Sequence, residues 1–201
     1  MTPSGTEGYA EKAGRLVKRY EALSFEEKHA PVLHLLPAAP ASIADIGAGT
    51  GADAAWLASR GHRVVAVEPT APLREAGMAL HAAQPIEWID DSLPALAWLH
   101  GREAAFDAVL LTAVWMHLDA AQRRRAMAAV AALLAPGGLL LMSLRHGPVP
   151  AGRRMFDVTA QETIALAREH GLRAVFEARN ASLQPENIAA GVAWTRLAFR
   201  A

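Results

Sequence analysis

Ser42-Ile43-Ala44-Asp45-Ile46-Gly47-Ala48-Gly49-Thr50-Gly51 carries a short apolar run into a glycine-rich turn, and Ala52 to Arg60 (ADAAWLASR) leaves that turn as a helix. The run Ser42 to Ile46 reads as a buried strand, so the glycines stand at a strand-to-helix crossing. Glycine suits such a turn because it tolerates positive φ and lets a ligand approach the backbone without meeting a Cβ. The helix that follows presents unpaired N–H groups and a positive dipole end to whatever binds there. The glycines alone do not name the ligand, since Gly47-x-Gly49-x-x-Ala52 also fits the loose dinucleotide fingerprint.

Strands and helices alternate outward from this point. Strands are expected at Arg63–Val67, Ile86–Ile89, Phe106–Thr112 and Leu139–Leu144, and helices over about 72–83, 93–100 and 120–134. Gly61 closes the first helix, Asp119 is placed to cap the helix at Ala120, and Pro136-Gly137-Gly138 reads as a turn. Such repeated βαβ units predict a parallel sheet with helices on both faces. Before them, residues 1–8 are small and polar, and helical spacing runs over Tyr9–Tyr20 and Ser24–Leu36. Ser24 and Glu27 make a capping box, and Pro31 splits the second stretch. After a polar loop over 145–158 and a helix over Thr159–His170, the alternation breaks. Leu172–Ala178 and Val192–Phe199 read as an antiparallel edge pair with no room for a helix between them.

At 201 residues the chain is expected to form one domain. Lysine plus arginine equals aspartate plus glutamate at 20 each, which makes no electrostatic case for a nucleic-acid partner. Arg123-Arg124-Arg125, the densest basic run, reads as a solvated helix face. Cysteine is absent, which excludes disulfides, thiolate metal sites and a cysteine nucleophile. No basic-then-apolar leader and no membrane-length apolar window is present, so a cytoplasmic protein is the expectation.

Asp45 narrows the choice of ligand. A carboxylate in a central parallel strand is costly without a partner, whereas one at the strand's tip can face the crevice and pair with a cation. Asp-Ile-Gly-Ala-Gly-Thr-Gly (45–51) thereby resembles motif I of the class I S-adenosylmethionine-dependent methyltransferases. Phe106–Leu111 and Leu134–Leu140 resemble that family's fourth strand and its turn into the fifth. The resemblance implies a Rossmann-like doubly wound sheet of seven strands, mostly parallel, with an antiparallel C-terminal hairpin. It further implies a single domain over 1–201, with N-terminal lid helices over 1–37 and the core over 38–201. Glu68, at the tip of the second strand, is placed to accept two hydrogen bonds from a ribose diol, or else to cap the next helix. Asp90-Asp91-Ser92 is placed to meet an adenine, or else to cap the helix at Leu93. By the same resemblance Asp45, Gly47, Ala48, Gly49, Gly51, Glu68, Pro69, Asp90, Asp91, Ser92, Thr112 and Trp115 hold S-adenosylmethionine. Trp115 reads equally as core.

The acceptor end is expected around Thr112–Leu118, where His117 is a candidate base or a scaffold residue. Tyr9 and Tyr20 fit a lid helix, or else an amphipathic helix packed at the domain edge, and Arg145, with Arg153-Arg154, hints at an anionic acceptor such as a carboxylate, or else is solvated. No metal site is apparent. The resulting expectation is methyl transfer by in-line SN2 displacement to an O, N or C nucleophile, most simply on a small molecule. An NAD-linked oxidoreductase and a non-catalytic cofactor-binding partner subunit are the alternatives. Nothing in the sequence fixes the oligomeric state, and no membrane partner is expected.

Overall fold

The computed structural model describes residues 5–201. Its strands are β1 (Ser42–Ile46), β2 (Arg63–Val67), β3 (Ile86–Ile89), β4 (Phe106–Leu111), β5 (Leu134–His146), β6 (Arg173–Ala181) and β7 (Ala193–Arg200). They form one seven-stranded sheet in the order β3-β2-β1-β4-β5-β7-β6. β1 to β5 are parallel, and β7 pairs antiparallel with both β5 and β6. The order reverses between β1 and β4, so a crevice opens beyond their carboxyl ends, where the glycine turn lies.

Both sheet faces are apolar, which is why the strands read as unbroken apolar runs. Along β1, β2, β4 and β5, Ala44, Ile46, Val65, Val67, Val109, Leu111, Leu140 and Met142 enter one core. The alternate positions Ile43, Val64, Ala66, Ala108, Leu110, Leu139 and Leu141 enter the other. By this period of two, Asp45 shares the face of Ile43. The helices covering the sheet include α3 (Ala52–Ser59), α4 (Ala71–Leu80), α5 (Ala120–Leu133) and α6 (Ala160–Glu169). Asp119 and Gln122 form a complete capping box on α5, and Thr159 caps α6. The N-terminal segment folds as a 3-10 turn at Ala10–Lys12, α1 (Ala13–Glu21) and α2 (Phe25–His29). Ser24 supplies the N-cap half of its box, accepting from the Glu27 N–H at 3.3 Å, and the chain past Pro31 continues only as a 3-10 turn. Of residues 1–8, the first four lie outside the described residues.

Several sequence expectations are corrected. The expected helix over 93–100 is only a 3-10 turn at Ala97–Leu99, because Pro94 has no N–H to give and Leu96 sits at φ 48°. Pro136-Gly137-Gly138 is a bulge within β5 rather than a turn before it. Leu134 faces Phe106 and Leu139 faces Ala108, while the chain end pairs with the bulge through Gly137 N–H to Ala201 O and Ala201 N–H to Gly138 O. A helix does fit between β6 and β7: α7 (Pro185–Ala189) starts on Pro185, whose ring suits a first helical turn. Arg123 is not solvated. It is 5% exposed and bridges α5 to α6, donating to Glu162 at 2.6 Å and to the Leu118 carbonyl. Arg124 and Arg125 are exposed, as expected.

Candidate active site

A cavity of about 340 Å³ lies at the carboxyl ends of β1, β2 and β4, within the range of small-molecule pockets. Asp45, Gly47, Ala48, Gly49, Glu68, Pro69, Asp91, Ser92 and Thr112 line it from the sheet side, and Tyr9, Tyr20, His117 and Arg145 from the opposite side. Three residues of the expected cofactor set stand elsewhere. Gly51 packs against the Trp88 ring. Asp90 is exposed and paired with Arg74 at 2.8 Å. Trp115 is fully buried in the core, which supports the core reading of that residue.

Gly47 sits at φ 74°, and a Cβ there would stand 2.4 Å from Cγ2 of Val114. Position 47 is therefore closed to a side chain, and its backbone borders the cavity directly. Glu68 is 5% exposed, and both its carboxylate oxygens accept backbone N–H bonds, from Gly49 at 2.8 Å and Thr70 at 2.7 Å. It thus ties the tip of β2 to the glycine turn, while burial pushes its carboxyl above the usual range against those bonds. Asp91 accepts from the N–H groups of Ser92 and Trp98, at 2.8 and 2.7 Å. It caps no helix at Leu93, since none forms there; its bond to Trp98 instead ties the segment after β3 to the 3-10 turn at Ala97–Leu99.

Asp45 differs from both. It is 2% exposed, and its Oδ2 is buried with no hydrogen-bond partner. Burial raises its carboxyl to about 8, aided by the negative charges of Asp53 and Glu68 and opposed by Lys28. Asp53, in the first turn of α3, is likewise buried, but Lys28 at 2.5 Å and His29 at 2.9 Å hold it below the usual carboxylate range in spite of burial. Lys28, Asp53 and Arg196 all line the cavity, and none was singled out from the sequence. Asp53 reads there as an ordinary first-turn acid, and its partners lie on α2.

On the opposite side His117 has both ring nitrogens engaged. Nδ1 lies 2.8 Å from the Arg154 carbonyl oxygen, which can only accept, so Nδ1 carries the proton. Nε2 is then an acceptor and takes the Tyr9 hydroxyl at 2.9 Å. Burial lowers the imidazole's pKa, and the Arg153 charge adds to that, so the ring is held neutral. Burial raises the phenols of Tyr9 and Tyr20 above their ordinary value. Beyond β4, Ala113 is held at φ 61° with its N–H on Ser143 Oγ at 2.8 Å, a strained position bordering the cavity. The β6–β7 connection also reaches the site: Gln184 lines it and accepts from Arg19 at 2.7 Å. Among the described residues, no three histidine or acidic side chains converge as a metal-binding group.

Comparison with known proteins agrees with this geometry. Residues 43–138 match the family described as Methyltransferase domain. An uncharacterized methyltransferase of Mycobacterium tuberculosis is 31% identical over 119 residues, 56% of this chain and 58% of that protein. Another from the same organism is 37% identical over 114 residues, 53% of this chain and 40% of that protein. The chain thus spans about half the length of these relatives. The crystal structure of Burkholderia thailandensis 1,6-didemethyltoxoflavin-N1-methyltransferase, with bound 1,6-didemethyltoxoflavin and S-adenosylhomocysteine, superposes with a TM-score of 0.75. It is 23% identical and covers 96% of this chain and 84% of its own, a likeness of fold.

Proposed function

We propose that this chain, whose residues 43–138 match the family described as Methyltransferase domain, transfers a methyl group from S-adenosylmethionine to a nucleophile on a small molecule. The observation that carries this reading is the partnerless, buried Oδ2 of Asp45 beside a glycine turn whose first glycine, Gly47, admits no side chain. A buried carboxylate without a partner is costly, and a ligand ammonium is the complement that offsets it. S-adenosylmethionine supplies that ammonium and, on its sulfonium, a methyl group open to in-line displacement. Glu68 keeps lone pairs beyond its two backbone bonds for a ribose diol, and Pro69, Asp91, Ser92 and Thr112 complete that side. The segment up to residue 37 acts as the lid; its described part places Tyr9 and Tyr20 against the cavity.

These residues mainly orient the acceptor and exclude water. Where the acceptor carries a proton on its nucleophile, Tyr9 and His117 remove it together. The acceptor gives its proton to the Tyr9 oxygen as Tyr9 passes its own to His117 Nε2, and the Arg154 carbonyl steadies the imidazolium through Nδ1–H. Tyr9→Phe is expected to lower kcat by about 10²-fold. Since the His117 pKa is lowered, its base form persists below its ordinary 6.5, and activity is lost only as pH falls through that lower value. His117→Asn abolishes this acid limb in a kcat/KM profile. A profile unchanged in both variants would remove the pair from the mechanism.

The whole reading is tested by calorimetry with S-adenosylhomocysteine. Wild type is expected to bind, and Asp45→Ala and Glu68→Ala to bind at least about tenfold more weakly. No binding by wild type, or stabilisation by NAD alone in a thermal shift, overturns it.

A further inference from the structure

The acidic side chains around the cavity are gathered on one side, where Lys28 pairs with Asp53. These acids, Asp45, Asp53, Glu68 and Asp91, come from the tips of β1 to β3 and the start of α3. On the other side stand Arg19 of α1, Arg145 at the end of β5 and Arg153 in the following loop. None of these three arginines has a carboxylate within ion-pair distance among the described residues. Their positions are fixed by neutral groups instead. Arg19 donates to Gln184, Arg145 to the carbonyls of Gly147 and Pro148, and Arg153 lies over the Tyr9 ring with its Cζ 3.2 Å from the centroid.

Arg153 is the most telling of the three. Its Nη1 is buried and has no hydrogen-bond partner, so it does not behave as a solvated surface arginine. A desolvated guanidinium with a free N–H is unfavourable alone and becomes favourable when a planar anion accepts from it. Arg145 and Arg19 lie close enough for their like charges to act on one another, which an anion between them would relieve. A second cavity, of about 230 Å³, shares Met116, Arg145 and Met155 with the first and is lined further by Val149 and Phe156. Arg145 therefore stands between the reacting end and a recess of mixed lining, apolar at Met116, Val149, Met155 and Phe156 and polar at Gly147 and Asp157.

We propose that the methyl acceptor is a small organic carboxylate, its anionic group held by Arg153 and Arg145 and its apolar body directed toward the recess beside Phe156. The carboxylate is the handle; the nucleophile is a separate hydroxyl or amine of the same molecule, within reach of Tyr9. This assignment rests on the methyltransferase reading but concerns only the opposite side of the site.

The test uses matched probes, 4-hydroxybenzoate and 4-hydroxybenzamide, titrated into the full chain by calorimetry with and without saturating S-adenosylhomocysteine. The carboxylate is expected to bind at least about tenfold more tightly than the amide. Arg153→Met abolishes that preference, with folding verified by circular dichroism, whereas Arg168→Met, on the exposed side of α6, keeps it. Equal affinity for the two probes, binding of neither, or a preference that survives Arg153→Met overturns the proposal. Because the preference is also read without S-adenosylhomocysteine, failure of that ligand to bind tells against the methyltransferase reading separately.

Discussion

Asp45→Asn is expected to make the protein more stable and to weaken S-adenosylhomocysteine binding by about 10²-fold or more. Both effects come from one buried, partnerless carboxylate. Its pKa in the folded protein, about 8, lies above the ordinary 3.8, so between these values the folded state holds a proton that the unfolded chain has lost. Stability therefore falls as pH rises from about 4 to 8, and the whole penalty is present above 8. Asparagine keeps the shape and removes the ionisation. The variant should gain roughly 2 kcal/mol at pH 8 and little at pH 4. Thermal melts at the two pH values check this, and an equal or lower midpoint for the variant at pH 8 counts against it. Binding runs in the opposite sense. Only ionised Asp45 pairs with an ammonium, so wild-type affinity rises with pH up to about 8 and binding releases a proton. The variant loses that dependence with its affinity. A residue whose removal stabilises the fold and weakens the ligand is retained for the ligand.

Gly77→Ala is expected to destabilise the protein by about 2–3 kcal/mol, although alanine in place of glycine within a helix normally stabilises by about 1 kcal/mol. Gly77 lies in α4, and a Cβ there would stand 2.4 Å from the Thr50 carbonyl oxygen and 2.5 Å from Cη2 of Trp88. The nearer atom is backbone of the glycine turn, so relief requires moving α4 or the turn itself. The melting point should drop by roughly 5–10 °C, and S-adenosylhomocysteine affinity should fall with it because Thr50 borders the cavity. Gly14 in α1 supplies the contrast. A Cβ there meets nothing within 4 Å, and Gly14→Ala should be neutral or stabilising. A Gly77→Ala variant as stable as wild type would show that α4 does not seat on the turn in this way.

The two glycines mark where a sequence reading stops. Both stand in segments of helical periodicity, and nothing local separates one packed on a carbonyl from one facing solvent. Arg123 makes the same point: beside Arg124 and Arg125 it reads as surface, and only the approach of α6 brings Glu162 to it. Asp53 reads as a helix-start acid until α2 delivers Lys28 and His29. Asp91 reads as an adenine contact or as the cap of a helix at Leu93, yet no helix forms there and its bond reaches Trp98, seven residues on.

By itself the sequence determined what depends on near neighbours. Apolar runs of strand length and helices between them specify the βαβ order, and positive-φ glycines specify the turn after β1. The acids Asp45, Glu68 and Asp91 follow at strand tips because each stands next to its strand in the chain. Tertiary structure decided which of these groups are already satisfied and which are left open. Glu68 is taken up by the N–H groups of Gly49 and Thr70, whereas Asp45 faces the cavity with an oxygen unpaired. It also decided the far side of the site. Tyr9 meets His117 across 108 residues and Arg19 meets Gln184 across 165, pairings that exist only because the N-terminal helices lie over the strand tips. Local pattern carries no record of such contacts. They are set by the packing of the whole sheet and the segments that cover it.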